Sequence, residues 1–362
     1  MCFQSESRVK SLIQGKMSKK TKSNIWLTNT DKGLYCLPGN FYIDPYRPVE
    51  YALISHGHAD HARAGHDYVL STSQTLDIMR LRYGPEAIKK QSQIAETGTK
   101  IKIRDVDVTF FPAGHILGSA QILLEYKGQR IVFSGDYKRQ DDATCSDFEL
   151  VLCDIFITEA TFGLPVFRHP DVSVEIQKLM NSLKTFPDRA HLIGCYALGK
   201  AQRVLKEIRL AGYDKTIFIH GALHKLIEYY QAQGIDLGDV RLSYDERQKN
   251  TRSQDYAGAV ILAPPSAIQS LWARRFKDAV LCMASGWMRI RQRAKQRGIE
   301  LPMIISDHAD WDDLTRTILE TNAREVWVTH GREEALVHWC RKRGLEALPL
   351  SLIGYGDENE DV

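Results

Sequence analysis

The sequence predicts a two-domain α/β fold, and three observations lead to this prediction. The chain has 362 residues, and domains commonly contain about 100–200 residues. Short runs rich in β-branched and aromatic residues alternate with segments typical of helices through most of the chain. Side chains that bind metals follow several of the predicted strands, where a rigid sheet can hold them in place.

The predicted elements differ in character along the chain. Strands bounded by glycine or charged residues are predicted at 51–54, 106–111, 121–126, 130–134 and 326–329. Helices are predicted at 72–82, 200–211 and 311–323, where Asp312 and Asp313 favour the helix N-terminus. Short connections between the early strands favour antiparallel pairing, whereas the alternation of strands and helices after about residue 190 favours a parallel sheet.

Composition excludes a membrane-spanning chain and gives no global sign of a nucleic-acid binder. Hydrophobic residues make up 43% and charged residues 26% of the chain, as in ordinary globular proteins. The formal net charge is only +3, so any basic surface must be local. No apolar run approaches the roughly 18 residues of a membrane helix.

The two ends of the chain and its cysteines lead to further expectations. Residues 1–24 are rich in Lys and Ser and are expected to form a disordered basic extension, with a transit peptide as the less favoured interpretation. Residues 356–362 are expected to form an acidic tail. The seven cysteines include no C-x-x-C pair, which favours reduced thiols and a cytoplasmic location.

The hexapeptide HGHADH, His56–His61, contains three histidines and an aspartate directly after a predicted strand. His56 and His58 are two residues apart, so in an extended segment both rings point to the same side. Asp60 and His61 follow and can turn toward a second point. Imidazole and carboxylate groups at this density favour a site for zinc or a similar divalent ion over a histidine-rich surface turn.

Three more candidate ligands each follow an apolar strand. His115 lies in PAGHILGSAQ, Asp136 in IVFSGDY and His330 in VWVTHG. In isolation, each is more often a turn residue or a hydrogen-bonded structural group than a ligand. Together with the hexapeptide they give about the number of ligands that two adjacent metals need when one carboxylate bridges them. The full set is His56, His58, Asp60, His61, His115, Asp136 and His330.

This order of ligands resembles the metallo-β-lactamase fold, and later motifs narrow the resemblance. ITEATFG, with Glu159, resembles the acidic motif A of the β-CASP nucleases, and ISDHAD, with His308, resembles their motif B. His330 would then be motif C. The segment CYALGKAQRVL, 195–205, is similar to the strand-to-helix step of the family's inserted cap domain. The resemblance covers about residues 25–355, and the whole chain looks most like the bacterial DNA-ligase-associated exonucleases.

The resemblance implies a domain order. A metallo-β-lactamase domain, an αββα sandwich, would occupy residues 25–164 and 301–355. An α/β β-CASP cap domain at residues 165–300 would interrupt it and close over the metals. The narrow cleft would admit single strands or ends more readily than an intact duplex, and the resemblance to 5′-acting members favours 5′-to-3′ digestion.

The resemblance also implies roles for individual residues. His56, His58 and His115 would hold one metal, and Asp60, His61 and His330 the other, with Asp136 as the bridge. Asp60, Glu159 and His308 are assigned to catalysis, where His308 would be the general acid and Glu159 would orient or charge its ring. The alternative for His308 is a role as a ligand or a helix cap.

The expected activity is that of a DNA exonuclease in DNA repair that hydrolyses phosphodiester bonds by two-metal hydroxide attack. The cofactors would be two divalent metal ions, zinc or alternatively manganese. Nucleic acid is the expected partner, with DNA favoured over RNA, and a DNA ligase and a helicase are candidate protein partners. Glu159 at motif A and His330 at motif C nevertheless resemble the RNA-processing branch, so a β-CASP ribonuclease stays open as an alternative.

Two other classes of function would use only part of these motifs or would lack some of the ligands. A small-molecule metallohydrolase would need the metal ligands but not Glu159, His308 or a large cap. A catalytically silent binding subunit would have lost ligands, and here all seven are present. A metal-dependent nuclease is the class that uses every motif.

Substrate contacts are expected from a local basic run. RIRQRAKQR, 289–297, follows Trp287 and carries a cation at every second position. Extended or helical, it would form a stripe suited to backbone phosphates and a stacked base, although an ordinary solvated helix face fits equally well. Gly199-Lys200 at a helix start could offer N–H groups and a cation to a phosphate. The candidate substrate-binding residues are Lys200, Arg289, Arg291 and Arg293.

Overall fold

Three β-sheets organise the residues that this computed structural model describes, 26–243 and 256–353. The expected basic extension at 1–24 and the acidic tail at 356–362 lie outside the described residues. None of the six cysteines in the described part of the chain forms a disulfide. Among the same residues, no helix combines the length and the apolar character that crossing a bilayer requires.

The first sheet has six strands in the order β1-β2-β3-β4-β5-β6. They are β1 (Leu27–Thr30), β2 (Gly33–Cys36), β3 (Phe41–Ile43), β4 (Tyr51–Leu53), β5 (His66–Ser71) and β6 (Ile88–Ile94). β1 to β3 pair antiparallel, as expected, but β3 to β6 pair parallel. The antiparallel expectation is therefore wrong for the three pairs from β3 to β6. Residues 54–65 and helix α1 (Ser73–Tyr83) supply the long crossovers that these parallel neighbours need.

The second sheet has seven strands in the order β19-β18-β11-β10-β9-β8-β7. They are β7 (Lys100–Ile103), β8 (Val106–Pro112), β9 (Ala120–Tyr126), β10 (Gln129–Phe133), β11 (Ile155–Ala160), β18 (Glu325–Gly331) and β19 (Glu346–Pro349). β7 to β10 pair antiparallel, and β10, β11, β18 and β19 pair parallel. Because β11 and β18 are neighbours in the sheet, the chain between them forms an insertion, which ends where the last of it returns to the sandwich as a helix.

The two sheets pack face to face, and helices cover both outer faces. The core between them combines side chains of the first sheet, such as Leu53 and Phe41, with Phe110 and Ile122 of the second. Helix α1 packs on the outer face of the first sheet. Helices α6 (Trp311–Glu320) and α7 (Glu333–Arg341) pack on the outer face of the second. This layer order confirms the predicted αββα sandwich.

The insertion contains the third sheet, in which all pairs are parallel, as the strand–helix alternation predicted. Its order is β14-β13-β15-β12-β16-β17. The strands are β12 (His191–Gly194), β13 (Ile217–Ile219), β14 (Val240–Leu242), β15 (Val260–Ala263), β16 (Val280–Ala284) and β17 (Leu301–Met303). Its helices are α2 (Val172–Thr185), α3 (Lys200–Leu210), α4 (Gly221–Ala232) and α5 (Arg291–Gln296). The sheet extends to Met303, just past the cap limit predicted at residue 300.

Candidate metal centre and active site

The candidate ligands follow strand ends of the sandwich. The hexapeptide follows β4, His115 lies between β8 and β9, Asp136 follows β10, and His330 lies at the end of β18. Since β10, β11 and β18 are parallel, their carboxyl ends lie at one edge of the sheet, and this edge brings Asp136, Glu159 and His330 together. Helix α1 supports the hexapeptide closely, because a Cβ added to Gly57 would lie 2.6 Å from Cγ2 of Ile78.

Asp136 lies at the centre of the cluster and is 5% exposed. Its Oδ2 lies 3.5 Å from Nε2 of His56 and 3.5 Å from Nε2 of His61. The same oxygen lies 3.8 Å from Nε2 of His115. Its Oδ1 lies 3.8 Å from Nδ1 of His330. One carboxylate thus approaches histidines on two sides of the cluster, which is the position that a bridging ligand requires.

The remaining candidate ligands form two groups around Asp136. In the first, Nδ1 of His58 lies 3.2 Å from Nε2 of His56 and 3.0 Å from Nε2 of His115. Ligand atoms that share one zinc ion at about 2.0–2.2 Å lie roughly 3–3.6 Å apart, so this spacing suits a common cation. The second group has all its ligand atoms within 4.8 Å of one another and consists of Asp60, His61 and His330.

An irregularity at the end of β18 turns His330 toward the cluster. His330 has a φ of 53°, which is uncommon for a residue with a side chain. The register between β11 and β18 shifts at this point. A Cβ on the next residue, Gly331, would collide with the carbonyl oxygen of Ala160. Backbone strain of this kind costs roughly 1–3 kcal/mol and is typical of functional sites.

The cluster fits divalent cations on its own chemistry. Nε2 of His61 and Oδ1 of Asp136 are buried and have no hydrogen-bond partner among the described residues, an arrangement that costs about 1–3 kcal/mol per atom. Burial, reinforced by neighbouring histidines, holds the pKa of His56 and of His115 well below the usual range. Both rings are therefore neutral, which is the form that binds a metal.

Asp44 is a residue of the site that sequence reasoning missed. It is 6% exposed, and its Oδ2 accepts a hydrogen bond from Nδ1 of His61 at 2.7 Å. The same carboxylate accepts hydrogen bonds from the backbone N–H and the hydroxyl of Ser55. These bonds leave Nε2 of His61 facing Asp136. The sequence FYIDP did carry a signal, a carboxylate after an apolar strand, but Asp before Pro also marks an ordinary turn.

His308 lies beside the cluster and pairs with the buried carboxylate of Glu159. Its Nδ1 lies 3.0 Å from Oε2 of Glu159 and 3.8 Å from Oδ2 of Asp136. Burial opposes a charge on the ring, but the carboxylates of Glu159 and Asp136 outweigh it and raise the pKa of His308 to about 9. Glu159 is held in place by the backbone N–H of Tyr137, which donates to its Oε1 at 2.8 Å. A protonated His308 can act as a proton donor at neutral pH.

A cavity of about 720 Å³ opens over the cluster between the sandwich and the inserted domain. This volume lies within the range of roughly 300–1,000 Å³ typical of ligand pockets, so it suits a short segment of substrate rather than a duplex. From the sandwich, its lining includes His58, Asp60, Leu81, Arg82, Asp136 and His330. From the insertion, it includes Tyr196, Lys200, Lys225, Leu226 and Trp287, and from the segment that returns to the sandwich it includes His308.

The basic run after Trp287 is helical rather than extended. A 3-10 turn, Gly286–Arg289, leads directly into α5. The guanidinium of Arg293 stacks over the ring of Trp287 at 4.2 Å from its centroid. Trp287 lines the cavity, whereas Arg289, Arg291 and Arg293 are exposed outside its lining. These three arginines could therefore contact only a part of the substrate that lies beyond the cavity.

Lys200 does begin a helix, but the structure does not support its expected role as a phosphate ligand. The side chain is only 4% exposed. Its Nζ donates a hydrogen bond to the carbonyl oxygen of Ile305 at 2.8 Å and lies 2.9 Å from Oδ1 of Asp307. The ammonium group is thus already paired inside the protein.

Lys200 belongs to a buried charge network that joins the two domains. Lys138 pairs with Asp142 at 2.5 Å, and Nε of Arg203 lies 3.5 Å from the same carboxylate oxygen. Arg203 also approaches Asp307 and donates to the carbonyl oxygen of Ser306. The backbone carbonyl of Asp307 accepts a hydrogen bond from Nδ1 of His115 at 2.7 Å. The network therefore fixes the segment that carries His308 and, through it, the ring of His115.

Residues 31–187 match the family model described as the beta-lactamase superfamily domain. The fold as a whole is similar to the crystal structure of a protein of unknown function from Enterococcus faecalis V583. That similarity has a TM-score of 0.55 and 12% sequence identity, and it covers 83% of this chain and 79% of the other. At this identity, it supports the fold alone.

The curated relatives include proteins named for DNA and for RNA processing. A "Probable DNA ligase" of Opitutus terrae is 28% identical over 350 residues, which cover 92% of this chain and 32% of that protein. An "Endoribonuclease YSH1" of Gibberella zeae is 31% identical over 211 residues, which cover 48% of this chain and 25% of that protein. The "Cleavage and polyadenylation specificity factor subunit 3" of Dictyostelium discoideum is 28% identical over 232 residues, which cover 55% of this chain and 29% of that protein. The chain thus spans about a third or less of the length of these relatives.

Proposed function

We propose that this chain, whose fold and family match are those of the metallo-β-lactamase superfamily, is one of its β-CASP nucleases and acts as a metal-dependent DNA exonuclease in DNA repair. The pairing of His308 with Glu159 beside the ligand cluster carries this proposal. Hydrolysis of a phosphodiester releases a sugar alkoxide, which needs a proton from a nearby donor. A hydrolase for small lactams or thioesters would have no use for this pair.

The two groups of ligands would hold two divalent cations with Asp136 between them. His56, His58 and His115 would bind one cation, and Asp60, His61 and His330 the other. When bound, the cations would neutralise the phosphate and lower the pKa of a water molecule toward 7. The histidine-rich donor set favours zinc, with manganese as the alternative.

His308 would supply the proton for the leaving oxygen. Glu159 holds Nδ1 of its ring, and the side chain lines the cavity. Nε2 is therefore the atom available to face a substrate. The carboxylate of Glu159 keeps the ring charged and oriented until the proton is transferred.

The similarity to the Opitutus protein supports DNA as the substrate. That match extends over 92% of this chain, whereas the matches to the two RNA-processing relatives cover 48% and 55%. Because the relative is named as a DNA ligase, the nuclease would act on DNA ends close to a ligation step. A DNA ligase is accordingly the candidate partner, and the resemblance to ligase-associated exonucleases adds a helicase.

An RNA-processing ribonuclease is the second candidate function. Glu159 at motif A and His330 at motif C resemble the RNA-processing branch of the family. Two of the relatives described above are also named for RNA processing. This candidate would use the same ligands and the same proton donor on a ribose-containing strand.

Digestion of matched DNA and RNA strands tests both candidates. Single strands of one sequence, 5′-phosphorylated and labelled at either end, would be incubated with the chain, with or without a chelator. We expect chelator-sensitive shortening of the DNA from its 5′ end, and Asp136→Ala serves as the inactive control. Preferential digestion of RNA would support the second candidate. Hydrolysis of nitrocefin or a thioester, with both strands intact, would overturn a nuclease function altogether.

A further inference from the structure

We propose that the ring of Tyr196 stacks on a nucleobase of a single-stranded substrate whose backbone reaches the metal centre. This inference rests on the proposed nuclease function and deepens it by naming the part of the substrate that the inserted domain recognises. The ligand at this subsite would be the flat face of a base, one of the nucleotides next to the cleaved bond.

Tyr196 presents an unusually exposed aromatic ring to the cavity. The residue is 59% exposed and belongs to the cavity lining. Among the described residues, no other ring and no cation packs against it. Exposed apolar surface inside a cleft is a common mark of a ligand contact. The ring is therefore free to receive a planar group.

The backbone around Tyr196 is fixed and connected to the metal centre. The carbonyl oxygen of Tyr196 accepts a hydrogen bond from the N–H of Ala201 at 3.0 Å, and the N–H of Cys195 donates to Ala263 at 2.9 Å. Two residues further on, the carbonyl oxygen of Leu198 lies 3.2 Å from Nε2 of the candidate ligand His58. A ring held on such a backbone loses little freedom when a base stacks on it.

Trp287, the other large aromatic side chain on the insertion side of the cavity, is already covered. The guanidinium of Arg293 lies over its ring. The rings of Phe162 and Phe167 pack against it at centroid distances of 4.9 Å and 5.1 Å. These contacts make Trp287 a structural support for the cavity wall. Tyr196 is the better candidate for stacking.

The surroundings of Tyr196 match a single strand of nucleic acid. The cavity lining includes Leu81 and Leu226, which are apolar, and the exposed cations Arg82 and Lys225. Helices α1 and α4, which carry these four residues, are joined by a hydrogen bond from the hydroxyl of Tyr229 to Oδ2 of Asp77 at 3.1 Å. An aromatic platform with nearby cations is the composition by which proteins bind single strands with little sequence preference.

A base-by-base comparison of Tyr196→Ala with the wild type tests the proposal. Single-stranded DNA substrates would carry one abasic nucleotide at successive positions from the end that is digested. We expect Tyr196→Ala to raise KM roughly 10- to 100-fold, the range of one lost stacking contact, with a much smaller effect on kcat. At one position, an abasic nucleotide should raise the KM of the wild type by a similar factor. The same nucleotide should leave the KM of Tyr196→Ala almost unchanged.

Two further variants separate stacking from general damage to the fold. Tyr196→Phe keeps the ring and should restore most of the affinity that Tyr196→Ala loses. Leu271→Ala removes a side chain that is 74% exposed and lies in the insertion outside the cavity lining, so it should leave KM unchanged. Thermal unfolding of all variants would verify that they fold.

Binding without cleavage keeps this inference separate from the proposed function. Fluorescence anisotropy would measure the affinity for labelled strands in the presence of a chelator. At the same position, the abasic nucleotide should weaken binding to the wild type but not to Tyr196→Ala, which means that the two changes are coupled. If the effects of Tyr196→Ala and of the abasic nucleotide on binding free energy are additive at every position, stacking on Tyr196 is overturned, whatever the nuclease activity. If coupling is found but no strand is ever cleaved, the subsite stands and the nuclease function fails.

Discussion

His308 pairs with Glu159 and lies outside the two groups of candidate ligands, and we propose it as the proton donor. We predict that His308→Ala slows turnover by roughly 10²–10⁴-fold, the usual effect of losing a general acid, while the metal content stays unchanged. Strand digestion at saturating substrate, with metal analysis of the same preparation, would measure both. Glu159→Gln, which keeps the shape of Glu159 but loses its charge, should cause a smaller loss. Loss of metal from His308→Ala would instead identify His308 as a ligand.

The hydrogen bond from His61 to Asp44 predicts a role for Asp44 in metal affinity. Groups that orient a metal-binding histidine typically contribute 10- to 100-fold to affinity, so Asp44→Asn should weaken binding by about this factor. Titration of the metal-free protein with zinc would measure the change, and added metal should restore activity. Asp31→Asn is the matched control, because Asp31 is an exposed aspartate whose one ion-pair partner in the described part of the chain is the exposed Arg47. Unchanged affinity in Asp44→Asn would contradict the orienting role.

At the scale of single residues, the sequence identifies side chains with distinctive chemistry better than it identifies their supports. The seven candidate ligands could be selected because each follows a predicted strand, and the structure brings them together. Asp44 could not, since an aspartate before proline has an ordinary role in turns. The burial of Lys200 could not be foreseen either, because its partner Asp307 lies far away in the chain.

At the scale of elements, local sequence patterns predicted the bounds of helices and strands well. They predicted less well which strands pair with each other. The helix predicted at 72–82 is α1, Ser73–Tyr83, and the strand predicted at 121–126 is β9, Ala120–Tyr126. The parallel pairing of β4 with β5 was missed because the sequence of a short strand does not indicate which strand lies beside it, or in which direction. The sequence of the basic run 289–297 was compatible with a strand or a helix. The structure contains the helix, in which Arg293 packs on Trp287.

The junction between α3 and the sandwich predicts a dependence of stability on pH. Burial opposes ionisation of Asp142, but Lys138 and Arg203 outweigh it, so the pKa of Asp142 falls below its ordinary value of 3.8. The folded state therefore favours the carboxylate, which stabilises the protein above about pH 4 and is lost as the pH falls further. Asp142→Asn leaves the charge of Lys138 unbalanced and should cost roughly 3–5 kcal/mol at pH 7.

Thermal unfolding of wild type and Asp142→Asn between pH 7 and pH 3, both free of metal, would measure this effect. The difference in unfolding temperature between the two proteins should narrow below about pH 4, as the wild-type carboxylate takes up a proton. A difference that stays constant over the whole range would show that the charge of Asp142 contributes nothing to stability.

At the scale of the whole molecule, the insertion between β11 and β18 creates the cleft over the candidate metal centre. The two strands are neighbours, so Glu159 and His330 lie close together although the entire third sheet separates them in sequence. The resemblance to a known fold predicted the sandwich and the insertion. It could not predict the strand order of the third sheet or the cavity wall around Tyr196, because both depend on contacts between distant segments.

We propose that this fold gathers distant histidines and aspartates to hold two divalent cations with Asp136 between them. Metal analysis of purified wild type, Asp136→Ala and His330→Ala would test this arrangement. The wild type should hold two ions per chain, Asp136→Ala should lose both, and His330→Ala should lose mainly one. Equal metal content in the wild type and Asp136→Ala would contradict the claim.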